Sequence, residues 1–213
     1  MPSQPNDSVG KLVIEQAEPP IDQADALIVA DQASHRQHGW LPRTIISGGQ
    51  TGADRAALDW ARSHGIAHGG WCPKGRLAAD GVLPLYFQLR ETESAGYRQR
   101  TRLNVRDSDA TLIFNTKDVD GGTLQTVRFA ETMHKPYCVV QLDGADLAQL
   151  ALQVVEWLKQ RQFATLNIAG PREEKRPGIY ALVTSVLDLC VGADAPLHSV
   201  VSRMVSKVEP RHD

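Results

Sequence analysis

The chain has 213 residues, enough for one domain with a sizeable core and a small appendage. Hydrophobic residues make up 42% of it, charged residues make up 23%, and the formal net charge is −2. This near-neutral balance gives no electrostatic reason to expect binding to nucleic acid or to a membrane surface. Three cysteines without a CxxC spacing, and an N-terminus without signal-peptide character, favour a reduced, cytoplasmic protein.

Short apolar strands and helices alternate along the chain. Residues 1–43 are expected to be an N-terminal extension, with a strand at 11–15 and a helix at 21–37. The elements predicted after it are a strand at 44–47, a helix ending at Gly65, a strand at 66–71, a helix at 95–107, a strand at 110–114, a helix at 121–134, a strand at 137–142, a helix at 146–161, a strand at 165–170 and a helix at 178–191.

This order predicts an α/β fold of the Rossmann-like, three-layer α/β/α type with a mostly parallel sheet. The domain is expected to span residues 44–191, with a C-terminal tail at 192–213. Residues 72–94 contain prolines and show no clear period. They are therefore interpreted as a structureless binding loop or lid.

A glycine loop follows the first core strand and opens a helix. It reads Gly48-Gly49-Gln50-Thr51-Gly52 and matches neither a P-loop nor a GxGxxG spacing. Glycines let a ligand approach the backbone N–H groups, and the helix adds the positive end of its dipole. The loop therefore predicts an anion site, with a tight turn that binds nothing as the alternative. Asp54 could cap the helix, or bind a ribose hydroxyl or a metal.

A second glycine turn opens the helix after the strand at 110–114. It consists of Gly121, Gly122 and Thr123. At the carboxyl ends of strands in one sheet, two such loops can face each other across a crevice. The alternative is an ordinary helix start containing glycines.

Polar and charged side chains cluster on the helix at 95–107. Arg98, Arg102 and Arg106 share one face at a spacing of four, and Tyr97, Thr101 and Asn104 form a neighbouring face. Arginine matches phosphate geometry, and the combination of Tyr97, Arg98, Thr101 and Asn104 indicates a site. Tyr97, Arg98 and Asn104 are predicted to contact a ligand. For the full arginine stripe a solvated face balanced by nearby acids is the favoured reading.

Further candidates lie on loops. Lys74 and Arg90 are cations on or beside the long loop, and Gly170 and Arg172 follow the strand at 165–170. Glu91, Glu173 and Asp54 are the candidate catalytic acids or bases. For Arg172 and Glu173 the alternative is an exposed loop ion pair.

No metal site is predicted. His64 and His68 are four residues apart, but Gly65 ends the helix between them. The sequence also lacks a GxSxG motif or a cysteine–histidine arrangement for nucleophilic catalysis.

Several strings, in this order, resemble the putative molybdenum carrier family, a circularly permuted YpsA-like branch of the SLOG group of Rossmann-like proteins. They are TIISGGQTGADRAALDWA, HGGWCPKGRLAADG, LRETESAGYRQRTRLNVRDSDATLIF, GGT, KPYCVV and LNIAGPREEKRPGIY. The resemblance covers residues 44–190. It implies one Rossmann-like domain, often in a homo-oligomer such as a dimer or tetramer, and a nucleotide-derived ligand. The family's suggested cargo is the molybdenum cofactor, molybdopterin.

Related cytokinin-activating phosphoribohydrolases carry the signature PGGxGTxxE, and here the region reads DGGTLQT. Thr126 stands where their catalytic glutamate would be, which weakens a transfer of N-glycosidic hydrolysis. A binding or carrier protein for a phosphorylated nucleotide-like ligand is the preferred hypothesis, with the phosphate on residues 48–52. The alternatives are a nucleoside-monophosphate hydrolase and a regulatory partner protein with a vestigial pocket.

Overall fold

The computed structural model describes residues 40–193, which form a six-stranded sheet, a short hairpin and five helices. The strand predicted at 11–15 and the helix predicted at 21–37 lie outside the described residues. The strands are β1 (Thr44–Ile46), β2 (Ala67–Cys72), β3 (Leu77–Ala78), β4 (Gly81–Val82), β5 (Leu89–Glu91), β6 (Ala110–Asn115), β7 (Tyr137–Gln141) and β8 (Thr165–Ala169). The helices are α1 (Ala53–Ser63), α2 (Tyr97–Asp107), α3 (Gly121–Thr132), α4 (Leu147–Lys159) and α5 (Ile179–Ala193).

The sheet has the strand order β5-β2-β1-β8-β6-β7, and all neighbouring strands run parallel. Helices α1, α4 and α5 pack together on one face, while α2 and α3 pack together on the other. The predicted Rossmann-like α/β/α architecture is confirmed. The last strand, β8, lies between β1 and β6, so its carboxyl end reaches the middle of the sheet edge, where ligands of such folds bind.

The face that carries α1, α4 and α5 holds the main hydrophobic core. Leu112 and Phe114 of β6 and Ile168 of β8 are fully buried there. Trp40 and Leu41 are buried in the same cluster, although they precede the predicted domain start at residue 44. Burying such a side chain contributes about 1.5–3 kcal/mol, so these residues stabilise the domain itself.

The opposite layer, between the sheet and α2 and α3, is rich in buried polar groups. They are Thr101, Asn104, Ser108, Thr111, Thr123, Thr126 and Asn167. Asn104 joins α2 to β2, because its Oδ1 accepts from the Trp71 N–H at 2.8 Å and its Nδ2 donates to the Trp71 carbonyl at 3.1 Å. Hydrogen bonds as well as apolar packing stabilise this layer. Because the layer is polar, its end can border a polar cleft.

The prediction of a structureless loop at 72–94 is wrong, because this segment contains β3, β4 and β5. Strand β5 has only three residues, too few to show a period, and its pairing with β2 depends on tertiary contact. The Arg76 guanidinium organises the segment by donating to the carbonyl oxygens of Leu83, Pro84, Phe87 and Leu89. Leu83, Phe87 and Leu89 form a second apolar cluster with Leu58 of α1.

A bidentate ion pair ties the β3–β4 hairpin to α1. The Arg55 guanidinium donates to both Asp80 oxygens at 2.9 and 3.0 Å and also to the carbonyl oxygen of Gly49. The hydrogen bond from Arg55 lowers the pKa of the Asp80 carboxyl below its ordinary value. Arg55 therefore connects the hairpin, α1 and the glycine loop.

We expect the Asp80→Asn variant to lose about 0.5–1 kcal/mol of unfolding free energy at neutral pH, since solvent screens this half-exposed pair. A lowered pKa means that this stabilisation is present above the ordinary aspartate pKa of about 3.9 and is lost as pH falls through the folded value. The difference between wild type and variant should therefore shrink towards zero in acid.

Urea denaturation across a pH series measures this difference. Asp118→Asn is the matched control, because the exposed Asp118 carboxylate makes no hydrogen bond or ion pair within residues 40–193. A difference for Asp80→Asn that stays constant down to the lowest pH would contradict the assignment.

Candidate functional site

A cleft of about 460 Å³ opens at the carboxyl end of β8, between α1, α2 and the start of α3. Its lining residues are Gln50, Asp54, Ala79, Tyr97, Arg100, Thr101, Gly122, Thr123, Gln125, Thr126, Ala169, Gly170, Pro171, Arg172, Glu174 and Lys175. Seven predicted ligand contacts are thus brought together, namely Gln50, Asp54, Tyr97, Gly122, Thr123, Gly170 and Arg172.

The three glycines at 48, 49 and 52 pack against protein atoms and do not line this cleft. A Cβ at Gly48 would lie 2.1 Å from Nη1 of Arg100, and one at Gly49 would lie 2.9 Å from methyl groups of Leu83 and Leu89. Gly52 has φ +76°, and a Cβ there would lie 2.6 Å from the Pro171 carbonyl oxygen. The missing side chains make room for the protein's own groups, above all the Arg100 guanidinium.

Asp54 and Arg100 form an ion pair beneath the cleft. Asp54 Oδ2 lies 3.0 Å from Nη2 of Arg100, and the Asp54 side chain is 3% exposed. Burial raises the pKa of the Asp54 carboxyl, although Arg100 and the backbone of Gln50 and Gly170 act to lower it. Arg100 was not singled out from the sequence, because its neighbours at 98, 102 and 106 form the more regular stripe.

Gln50 joins the glycine loop to the hairpin. Its Oε1 accepts from the N–H groups of Ala79 at 2.7 Å and Thr51 at 3.0 Å. Gln50 is 3% exposed and lines the cleft. Its amide orientation is therefore set by two backbone contacts, which direct Nε2 away from them.

The start of α3 is open towards the cleft. Among residues 40–193, no atom lies within 4 Å of a Cβ built on Gly122, and the N-cap residue Asp120 makes no side-chain capping hydrogen bond. The Asp120 carboxylate instead accepts a hydrogen bond from Lys175 Nζ at 2.5 Å. This hydrogen bond lowers the pKa of Asp120. The first-turn N–H groups and the positive end of the helix dipole are thus available to an anion.

The loop after β8 places a cation opposite α2. The Arg172 guanidinium lies 4.4 Å from the Tyr97 ring centroid and makes no hydrogen bond or ion pair with other residues in the range 40–193. Glu174 accepts from Thr51 Oγ1 at 2.8 Å, so this loop is joined to the glycine loop. A stacked, unpaired guanidinium at a cleft is well suited to bind phosphate or carboxylate.

Several predicted contacts lie outside the cleft. Arg98 is exposed and lies over the ring of Phe129 on α3, at 5.5 Å from the ring centroid. Arg90 lies over the Trp71 ring in a separate groove, and Asn104 is committed to the backbone of β2. Lys74 is exposed on its loop, and Thr51 and Gly121 are likewise not among the lining residues.

Two of the three candidate acids hold backbone groups outside the cleft. Glu173 accepts from the N–H groups of Gly178 at 2.6 Å and Tyr180 at 3.0 Å, at the start of α5. Glu91 accepts from the Gly75 N–H at 2.6 Å. Asp54 is the candidate acid that lines the cleft.

The lining residues that sequence reasoning did not select include polar side chains on helices and on the loop after β8. Arg100 and Gln125 lie on helices, and Glu174 and Lys175 lie on that loop. Thr126, noted only as the replacement for a glutamate, also lines the cleft, and its hydroxyl donates to the Gly122 carbonyl oxygen at 3.0 Å. For Gln125 and Thr126, the sequence signal that could have indicated the site was their position just after the glycine turn.

Neither a metal site nor a membrane-spanning helix is found in the part of the chain that the structure describes. No group of three or more His, Cys, Asp or Glu side chains comes together that could hold a metal ion. None of the helices is long and apolar enough to cross a membrane.

Comparison with known proteins identifies relatives of most of the chain. The circularly permutated YpsA SLOG family matches residues 45–191. A crystal structure of a putative molybdenum carrier protein from Syntrophus aciditrophicus SB is 45% identical, with a TM-score of 0.69. The match covers 70% of this chain and 94% of that one. No curated protein matches.

We expect Gly52→Ala to destabilise the protein by about 2–5 kcal/mol, the sum of a left-handed backbone penalty and overpacking against the 171–173 loop. Gly65→Ala is the matched control, because Gly65 also has positive φ but no atom of residues 40–193 lies within 4 Å of its Cβ position. That variant should lose only about 1–2 kcal/mol. If chemical denaturation gives the same loss of unfolding free energy for both variants, the close approach at Gly52 does not contribute to stability.

Proposed function

The chain belongs to the circularly permuted YpsA SLOG family, and we propose that its cleft binds a small phosphorylated, nucleotide-like ligand as a binding or carrier protein. The observation that carries the proposal is the pairing of an open helix start at Gly122 with the unpaired guanidinium of Arg172. Both line one cleft, and each alone favours an anion.

In this proposal the phosphate lies at the α3 end of the cleft and not on residues 48–52. The glycine loop is filled by Arg100, Leu83 and Leu89, whereas the space at Gly122 is open. Lys175 adds positive charge at the same end, although Asp120 partly neutralises it. Thr123, 4% exposed on the first turn of α3, supplies a hydroxyl beside the predicted phosphate.

The molybdenum cofactor is one candidate cargo. The related Syntrophus protein is described as a putative molybdenum carrier, and molybdopterin is a pterin with a single phosphate ester. A cleft of about 460 Å³ has the size typical of small-molecule sites. Homo-oligomer formation and a cytoplasmic location stay predictions from the sequence.

The second candidate is a hydrolase of nucleoside monophosphates, favoured by the raised pKa of the buried Asp54 carboxyl inside the cleft. A protonated Asp54 would donate a proton to the departing base as a general acid, while water adds to C1′ of the ribose in place of the broken N-glycosidic bond. Base release from nucleoside 5′-monophosphates that disappears in Asp54→Asn would support this activity. If the wild-type protein releases none of the four common bases faster than the uncatalysed reaction does, the hydrolase activity is excluded.

For binding, we expect Arg172→Ala to weaken affinity for the phosphorylated ligand by about 10–100-fold, the effect of losing a charge-assisted hydrogen bond. Isothermal titration with ribonucleoside 5′-monophosphates and with the phosphorylated pterin obtained from molybdopterin measures this change. The matching unphosphorylated nucleosides should be nearly insensitive to the substitution.

Arg128→Ala is the control, because Arg128 is an exposed arginine of α3 that does not line the cleft. Its affinities should equal those of wild type. If Arg172→Ala and Arg128→Ala behave alike with every phosphorylated ligand, the proposed phosphate position is excluded.

A further inference from the structure

Three residues that line the cleft each carry a buried polar atom without a directed hydrogen bond among residues 40–193. These atoms are Nε2 of Gln50, Oδ2 of Asp54 and Nε of Arg100, and we call the three residues the cleft floor. Asp54 Oδ2 makes a charge contact with Arg100, but not a well-directed hydrogen bond. A buried polar group without a partner costs about 1–3 kcal/mol. Three such groups in the lining of one cleft therefore indicate a ligand whose polar group forms the missing hydrogen bonds.

The charges of the cleft floor decide what kind of group fits. Asp54 and Arg100 neutralise each other when both are ionised, and Gln50 is uncharged. A second phosphate at the floor would meet the Asp54 carboxylate. Glu174, the other acid of the lining, accepts a hydrogen bond from Thr51. The floor therefore suits an uncharged polar group better than a second anion.

A hydroxyl group matches this set, because it donates one hydrogen bond and accepts others. It would donate to Asp54 and accept from Gln50 Nε2 or from Arg100. Two adjacent hydroxyls would use all three floor residues. A methylene in their place would leave the buried donors and the acceptor unpaired, and sites of this kind discriminate strongly against the missing hydroxyl.

We infer that the cleft floor binds the vicinal hydroxyls of a ribose, so that the ligand carries one phosphate at the α3 end and a sugar diol at the floor. This inference rests on the proposed function and narrows its ligand class. It favours a ribonucleoside monophosphate type of ligand over a bisphosphate and over a phosphorylated pterin without a sugar.

The test compares each of the four common ribonucleoside 5′-monophosphates with its 2′,3′-dideoxy counterpart by isothermal titration on wild-type protein. At least one ribonucleotide should bind, and its dideoxy form should bind at least about tenfold more weakly. Equal affinities would overturn the diol inference and leave the proposed function standing, as would binding of the phosphorylated pterin without any ribonucleotide. Failure of all phosphorylated ligands would overturn both.

Two variants locate the effect at the floor. Gln50→Glu keeps the Oε1 that accepts from Ala79 and Thr51 but replaces the Nε2 donor, so the ribose preference should fall at least about fivefold. Gln125→Glu makes the same chemical change elsewhere in the cleft lining. It should weaken ribose and dideoxy forms by the same factor and leave their ratio unchanged.

A ribose preference that survives Gln50→Glu in a variant with a wild-type melting temperature would place the diol elsewhere and overturn the assignment. If Gln50→Glu does not fold, the wild-type comparison of ribose and dideoxy ligands still decides whether a sugar diol is recognised.

Discussion

The site depends on a close approach that leaves no room for a side chain at two glycines. A Cβ on Gly170 would lie 2.5 Å from the Phe114 carbonyl oxygen and 2.6 Å from the Ala53 Cβ, and Gly52 is equally confined by the loop after β8. The Ala53 N–H donates to the Pro171 carbonyl oxygen at 3.2 Å across this contact. Because three chain segments meet here, the loop that carries Arg172 is positioned over the start of α1.

The two faces of the sheet make different contributions to this arrangement. Apolar side chains on the α1, α4 and α5 face provide the main core, while threonines and asparagines are common beneath α2 and α3. An arginine can be largely buried in that polar layer because Asp54 balances its charge. The same layer that accommodates Arg100 thus forms the floor of the cleft, and its open end lies at the first turn of α3.

Periodicity and glycine punctuation were enough to predict the order of the main strands and helices, since each is a local pattern. Strand β5 was missed because three residues show no pattern, and its pairing with β2 is a tertiary contact that no local pattern records. The glycine loop shows why site prediction is harder. Gly48 indicates that something approaches the backbone closely, but a ligand phosphate and the Arg100 guanidinium require the same missing side chain. Only the tertiary structure separates these two interpretations.

The position of β8 has a consequence for how the chain acquires its structure. Strands β5, β2 and β1 form one half of the sheet, β6 and β7 form the other, and β8 joins them. During synthesis, residues 165–169 emerge after both halves, which until then present unpaired strand edges at β1 and β6. The protein therefore cannot close its sheet until residue 169 has left the ribosome, and nascent chains are most exposed to aggregation just before that point.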